Sequence, residues 1–346
     1  MVADLIEIVV KVAILLGVVL GTVAYMALAE RKISAFIQHR LGPNRVGIWG
    51  LLQPIADGIK FVFKEEMIPA NVNRVVYLLA PTMILVPALM TLAVVPFGDY
   101  VDLFGRHIRL QLADLNIGIL YILALTSLGV YGIVLGGWAS NNKYSLLGGI
   151  RASSQMISYE LTLGLSLIGV LMIDGSLRLN DIIAGQQGSL WGGIPRWNVF
   201  IQPLGFLLFL VASFAETNRL PFDLPECEQE LVAGYHAEYS SLKFAMFYMA
   251  EYANMLTSSV VAVALFFGGW HLPGLIPEGS NTLGYGLLKI AVFGVKTAFF
   301  LFLFIWVRWT LPRFRYDQLM NLGWKVLLEL AFLNVLATGA VLAMRG

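Results

Sequence analysis

The chain has 346 residues, of which 58% are hydrophobic and 13% charged, with a net charge of +1 at pH 7 and a mean hydropathy of +0.76. Soluble domains carry about 25% charged residues, so this composition excludes an ordinary soluble protein and predicts an all-α, polytopic membrane protein. The near-zero net charge argues against nucleic-acid binding, and the single cysteine, Cys227, excludes an internal disulfide.

Asp4 and Glu7 stand where a cleaved signal peptide would be basic, so the first apolar run reads as a span. Eight spanning helices are predicted at about 5–28, 75–96, 116–138, 157–174, 200–217, 242–268, 285–308 and 325–344, each long enough for a ~30 Å hydrocarbon core. The small-residue pairs Gly17/Gly21 and Gly132/Gly136 suit close helix packing. Between the first two spans, "GLLQPIADGIKFVFKEE" puts Leu52, Ile55, Ile59, Val62 and Phe63 on one face and Gln53, Asp57, Lys60 and Lys64 on the other. This pattern predicts an amphipathic interfacial helix over about 50–67. The whole chain reads as a single integral membrane domain, 1–346, with an acidic loop at about 217–240.

Lys and Arg set the orientation. The loops after the first, third, fifth and seventh spans hold Arg31, Lys32, Arg40, Arg45, Lys60, Lys64, Lys143, Arg151, Arg219, Arg313 and Arg315, whereas the opposite loops hold Arg106, Arg109, Arg178 and Arg196. The positive-inside rule makes the first group cytoplasmic, with both termini outside a bacterial inner membrane. The stretch "RLPFDLPECEQELVAG" then faces the cytoplasm with Asp223, Glu226, Glu228 and Glu230.

Ionisable residues in or beside spans are functional candidates by default, because a charge at the membrane centre costs roughly 2.5–3.5 kcal/mol. They are Glu30, Glu160, Glu216, Glu238, Glu251, Lys296, Arg308 and Glu329. Most are expected near the cytoplasmic ends of spans, with Glu251 and Lys296 deeper. Lys11 and Lys289 read as snorkelling residues, Glu329 as a carboxylate opening its helix, and Cys227 as a packing residue. Burial and like-charge neighbours raise carboxylic proton affinities, so a carboxylate ring of this kind suits proton relay.

No site for a redox cofactor is expected in this chain. A four-cysteine iron–sulfur cluster cannot be built, the four histidines fall in segments read as loops rather than on spans as haem ligands, and no glycine-rich loop supports a nucleotide or flavin. Metal-ligand spacing and a hydrolase triad are also missing from the pattern. The residues alone leave two readings open: a proton or cation transporter, or the proton-handling membrane part of a larger redox machine.

Two stretches separate these readings. "GLLQPIADGIKFVFKE" (50–65) and "PFDLPECEQELVAG" (221–234) resemble the signature motifs of the H-subunit family of proton-pumping NADH–quinone oxidoreductase, respiratory complex I. The likeness continues through "AERKISAFIQHRLGPNRVG", "SSQMISYEL", "FAETNRLPFD", "AGYHAEYSSLKFAMFYMAEY" and "RWTLPRFRYDQLMNLGWK". It implies a membrane subunit that walls a quinone channel and carries no electron itself. The implied partners are the other membrane and peripheral subunits, including the iron–sulfur subunit next to the quinone site, together with membrane lipids. By the resemblance, Arg31, Arg40, Asp57, Lys60 and Phe222 belong to the quinone channel. Glu160, Glu216, Asp223, Glu226, Glu228, Glu230 and Glu251 belong to a proton relay, supported by Glu30, Arg219, Glu238 and Arg308, with Arg219 holding the acidic loop. A foot subunit of a membrane-bound hydrogenase or ferredoxin-linked complex is the nearest alternative, and a free-standing cation/proton antiporter a more distant one.

Overall fold

A computed structural model describes residues 2–103, 106–190, 193, 195–224, 231–275 and 282–345. Among these residues seven helices are long and apolar enough to span a membrane. The first, α1 (Val2–Ile37), has 36 residues and so runs about 54 Å. That is well beyond the hydrocarbon core, and its last turns, with Glu30 and Arg31, become protein-facing walls. The short amphipathic helix α2 (Gln53–Phe63) follows, opened by Pro54 near its start, and none of its side chains is buried. The next helix, α3 (Arg74–Met90), is capped by Asn73, whose side chain accepts from the Val76 amide.

A two-stranded antiparallel hairpin, β1 (Tyr100–Leu103) and β2 (Arg106–Arg109), pairs Tyr100 with Arg109. It adds a small strand element to the all-α expectation and places His107 on a strand. Helix α4 (Gly118–Ala139) leads into α5 (Lys143–Asp174), then the short α6 (Leu179–Gly185). The predicted start of the fourth span at 157 is corrected to Lys143. The polar run around Arg151 and Gln155 breaks the hydropathy signal, yet Gln155 is fully buried and donates to the carbonyls of Ala215 and Phe222 at 2.8 Å. Polar helix residues are stable there because protein, not lipid, supplies their partners.

The predicted fifth span is a broken helix. Four residues, α7 (Asn198–Ile201), precede α8 (Pro203–Glu216), and Gln202 between them is non-helical, as the residue before a proline tends to be. With 14 residues α8 covers only about 21 Å. The central helix, α9 (Ser241–Phe266), has the lowest hydropathy of the seven spans, 1.3, and the highest buried share, 72% of its most apolar window; the corresponding share in α1 is 11%. Polarity thus marks the helix enclosed by protein, and strong apolarity marks the lipid-facing edge. Helix α10 (Leu283–Thr310) packs on α9, and a π turn at Gly323–Leu327 joins α11 (Tyr316–Leu322) to α12 (Leu328–Arg345). Glu329 therefore follows a π turn inside a continuous apolar rod and does not open a helix. Lys289, expected to snorkel, is buried.

The glycine pairs divide. A Cβ at Gly17 or Gly21 would meet nothing within this chain, whereas Gly132 lies against α3 near the Ala80 carbonyl and Gly136 near Phe247. A tight interhelical constraint lies at Gly148 of α5, where a Cβ would stand 2.7 Å from the Gly234 Cα and 2.8 Å from the Tyr235 nitrogen. Backbone on both sides leaves no flexible atom to yield. Gly148→Ala is therefore expected to cost about 1–3 kcal/mol through overpacking, read as a lower thermal midpoint of the assembled protein. Gly17→Ala serves as the matched control with no change.

Candidate functional site

Helices α1, α2 and α9 and the end of α10 enclose a cavity of about 860 Å³, within the usual range for small-molecule sites. One part of its wall is apolar, with Leu20, Val23, Ala24 and Ala27 of α1 facing Val62, Phe244 and Met249. The other part is ionic and polar, with Glu30, Arg31, Arg40, Asp57, Tyr252 and Arg308. Arg31 holds Asp57 at 2.7 Å, and the Gln53 amide donates to the other Asp57 oxygen at 3.0 Å. Three of the expected channel residues, Arg31, Arg40 and Asp57, thus line one cavity.

The other two do not. Lys60 is exposed on the outer side of α2. Phe222 is buried behind the cavity, where its ring meets Tyr159 edge-on at 5.5 Å and lies 5.4 Å from Phe314.

Beneath the ionic wall lies a buried charge cluster. Both Glu30 oxygens accept from Arg219 at 3.2 Å, and Glu30 also accepts from Arg308 and from the Tyr252 hydroxyl, the latter at 2.7 Å. Arg219 is 3% exposed, reaches Glu251 at 2.5 Å through Nε, and stacks over the Tyr252 ring at 4.5 Å. Burial works against the charge of Arg219, but Glu251 and Glu30 more than offset it and raise its proton affinity. Two guanidiniums facing two carboxylates make this burial tolerable, since an unpaired charge would cost several kcal/mol. Arg219 therefore holds α1 and α9 together, and it is Arg313 that holds Asp223 of the acidic loop, at 2.9 Å. Glu226, Glu228 and Glu230 lie outside the described residues, as does Cys227.

A second carboxylate site lies deeper. Glu160, expected near a helix end, sits mid-way along the 32-residue α5 and accepts from Ser127. Glu216 stands at the end of the short α8. It lines a small cavity with Thr126, Thr257 and Ser258, and Thr257 shares a hydrogen bond of 2.9 Å with Thr91. Adjacent hydroxyls of α4 thus lie beside the two carboxylates, Ser127 donating to Glu160 and Thr126 sharing the small cavity with Glu216. Their signal in the sequence was the pair Thr126–Ser127 inside an otherwise apolar run, which a search for ionisable residues passes over.

Two candidates fall elsewhere. Glu238 accepts from the Asn142 amide at 2.7 Å, apart from either carboxylate site. Lys296 donates to the carbonyls of Phe267, Gly269 and His271 at 2.7–2.9 Å and lies 4.6 Å over the Trp197 ring, capping the far end of α9. At that same end of the bundle Asp114 accepts from Arg178 and Arg109, and the Arg178 hydrogen bond does most to hold its carboxyl below the usual range. Among the described residues no three His, Cys, Asp or Glu are grouped to hold a metal ion.

Comparison with known proteins follows the geometry. The family model described as NADH dehydrogenase matches residues 10–339. The H subunit of NADH-quinone oxidoreductase from Thermomicrobium roseum is 54% identical over 331 residues, covering 95% of this chain and 94% of that protein. The Flavobacterium johnsoniae protein of the same name is 52% identical over 344 residues, covering 98% and 96% respectively. The first of the numbered H subunits of NADH-quinone oxidoreductase from Cytophaga hutchinsonii is 52% identical over 320 residues, covering 92% of each chain.

Two outcomes test the electrostatics. Arg219→Met takes the guanidinium from Glu251 and leaves Glu30 to Arg308 and Tyr252; it is expected to cost about 3–5 kcal/mol, seen as loss of assembly on native gels. Adding Glu251→Gln should restore part of it. His236, in the turn before α9, is pushed by burial from 6.5 down to about 4. The folded state therefore binds fewer protons than the unfolded state between those values. The neutral ring's contribution, about 3 kcal/mol, is whole above pH 6.5 and is lost as pH falls towards 4. His236→Phe keeps ring contacts with Phe244 and Tyr248 and should flatten the thermal midpoint between about pH 7 and about pH 5.

Proposed function

This chain belongs to the NADH dehydrogenase family and is a multi-pass membrane subunit of a bacterial NADH-quinone oxidoreductase, and we propose that its cavity admits the quinone while its buried carboxylates couple quinone reduction to proton translocation. One observation carries the reading: the cavity joins an apolar wall to a wall of fixed charges, directly above the Glu30–Arg219–Glu251 cluster. A quinone has the matching form, an apolar isoprenoid tail and a polar, redox-active head. The tail would lie along Leu20, Val23, Ala24 and Ala27. The head would pass Arg31, Arg308 and Tyr252 toward its reduction site beside the iron–sulfur subunit.

Reduction places negative charge and proton demand on the head. At an effective dielectric near 20, a unit charge about 8 Å away is worth about 2 kcal/mol, which is more than one unit in the proton affinity of a buried carboxylate. Such a change at Glu30, Glu251 and Asp223 would alter the pairing of Arg219 and Arg313. The Glu160–Glu216 pair, with its hydroxyl partners, is the next proton-holding site within the membrane. The cavity and the Lys/Arg-rich loops share one side of the bundle, which the positive-inside rule makes cytoplasmic, leaving both termini outside.

Ala27→Phe narrows the cavity at its apolar wall. It is expected to lower quinone reduction about tenfold while NADH oxidation by a hydrophilic artificial acceptor stays normal. Glu216→Gln should lower quinone turnover and proton pumping together, again with normal acceptor activity. Undiminished quinone reduction in an assembled Ala27→Phe complex would sink the channel, and normal pumping in Glu216→Gln would sink the relay.

A further inference from the structure

Helix α2 supplies Gln53, Pro54, Asp57, Gly58, Phe61 and Val62 to the cavity wall, yet none of its side chains is buried. Apolar packing alone therefore holds it weakly, chiefly through the Phe61 ring 6.4 Å from that of Phe244. Its first half is held by Arg31 of α1 on Asp57. Its second half is held from the start of α9. The Ser241 hydroxyl faces the carbonyls of Phe61 at 2.9 Å and Lys64 at 3.0 Å, two acceptors left open where the helix ends. The Met67 amide donates to the Ser240 hydroxyl at 3.1 Å.

Lys243 completes the contact. Its buried ammonium lies 2.6 Å from Glu66 and 5.2 Å over the Tyr77 ring. A cation in the first turn of a helix opposes the helix dipole, so this position is tolerated through Glu66 and the ring, not through α9 itself. Ser241 has φ of 57°, a left-handed conformation that costs a non-glycine residue about 1–3 kcal/mol. A strained serine and an ill-placed lysine thus coincide at the spot where α2 is tied down. The Tyr77 hydroxyl extends the tie by donating to the Glu238 carbonyl at 2.7 Å.

We propose that Ser240, Ser241 and Lys243 are a clasp that positions α2 as a wall of the cavity, and that the clasp sets how well long-tailed quinones pass. The inference rests on the channel reading above. A long isoprenoid tail spans the whole wall and depends on where α2 stands, whereas a short-tailed analogue occupies only part of it. These three are positioning residues, because none of them lines the cavity.

The test uses the assembled complex in lipid with quinones of long and short tail. Ser241→Ala and Lys243→Met are expected to raise KM for the long-tailed quinone about three- to tenfold, the range for losing one or two hydrogen bonds or an ion pair. The change in kcat, and in KM for the short-tailed analogue, should stay below about twofold. Lys243→Arg retains the charge and should restore KM. Amide hydrogen exchange over residues 61–67 should quicken about tenfold in Ser241→Ala and Lys243→Met. Unchanged exchange in both would overturn the clasp, and faster exchange with unchanged KM would overturn its role in quinone passage. Ala27→Phe runs alongside: if it blocks quinone reduction while the clasp variants leave KM unaltered, the channel stands and this inference falls. If Ala27→Phe is inert, the channel reading falls, and exchange still decides whether α2 is clasped.

Discussion

The fully buried guanidinium of Arg219 is the interaction around which the cytoplasmic half of the bundle is arranged. It stands three residues beyond α8 and binds Glu30 of α1 and Glu251 of α9, while Arg308 of α10 shares Glu30. Four separate parts of the chain meet at one point with charges that cancel. Removing water from such a set is costly, and the cost is recovered only if every partner stays within a few ångströms. The set therefore fixes distances between helices more strictly than apolar packing would. It also leaves Glu30, Arg308 and Tyr252 with one side toward the cavity.

That arrangement gives the cavity a property that size alone would not. An ion-paired wall is stable while its charges balance, and it responds when a new charge arrives beside it. The apolar wall of α1 works in the opposite sense, admitting a hydrocarbon chain without contributing any change of charge. In the proposed function, placing both on one cavity would separate holding a quinone from sensing its reduction. The deeper Glu160–Glu216 site follows the same logic with hydroxyls in place of guanidiniums. Ser127 donates to Glu160 without neutralising it, and Thr126 lines the small cavity beside Glu216; in the proposed function this leaves the pair able to change its protons.

Much of this was legible in the sequence, and the misses share a cause. Hydropathy located the spans facing lipid, such as α1 and α10, but cut α5 short at its polar segment. Within that segment Gln155 is buried against other protein segments, and a linear hydropathy profile cannot tell protein from water. The same blindness placed Glu160 near a helix end when it lies mid-way along α5. The identities of the charged residues at the site were legible, because ionisable groups in apolar surroundings are rare and stand out. Their pairing was not. Arg219 was expected to hold the acidic loop that follows it directly in the chain, yet it reaches across the fold to Glu30 and Glu251. Lys296 stood out by depth alone, but the turn at Gly268 and Gly269, both with positive φ, folds the end of α9 back so that three carbonyls enclose it.

The amphipathic helix shows what pattern and geometry each contribute. Periodicity placed a helix over about 50–67, a local property of the spacing, and α2 forms at Gln53–Phe63, but Val62 lines the cavity beside Asp57 whereas Lys60 stands outside it. Nothing local says what holds the helix in place, and its holders lie about 180 residues away, at Ser240, Ser241 and Lys243. These follow directly on the acidic segment that begins near Asp223, so one end of that segment is tied through Arg313 and the other through α2. A shift of either tie moves a charge relative to the cavity. Coulomb energy varies inversely with distance, so for a pair about 4 Å apart a displacement of about 1 Å changes the interaction by roughly a fifth to a third. A wall that is polar, clasped at its ends and free of buried packing can make such a displacement without the cost of opening a core. In the proposed function, that freedom suits α2 to be the adjustable side of the quinone cavity, with α1 and α9 as its fixed side.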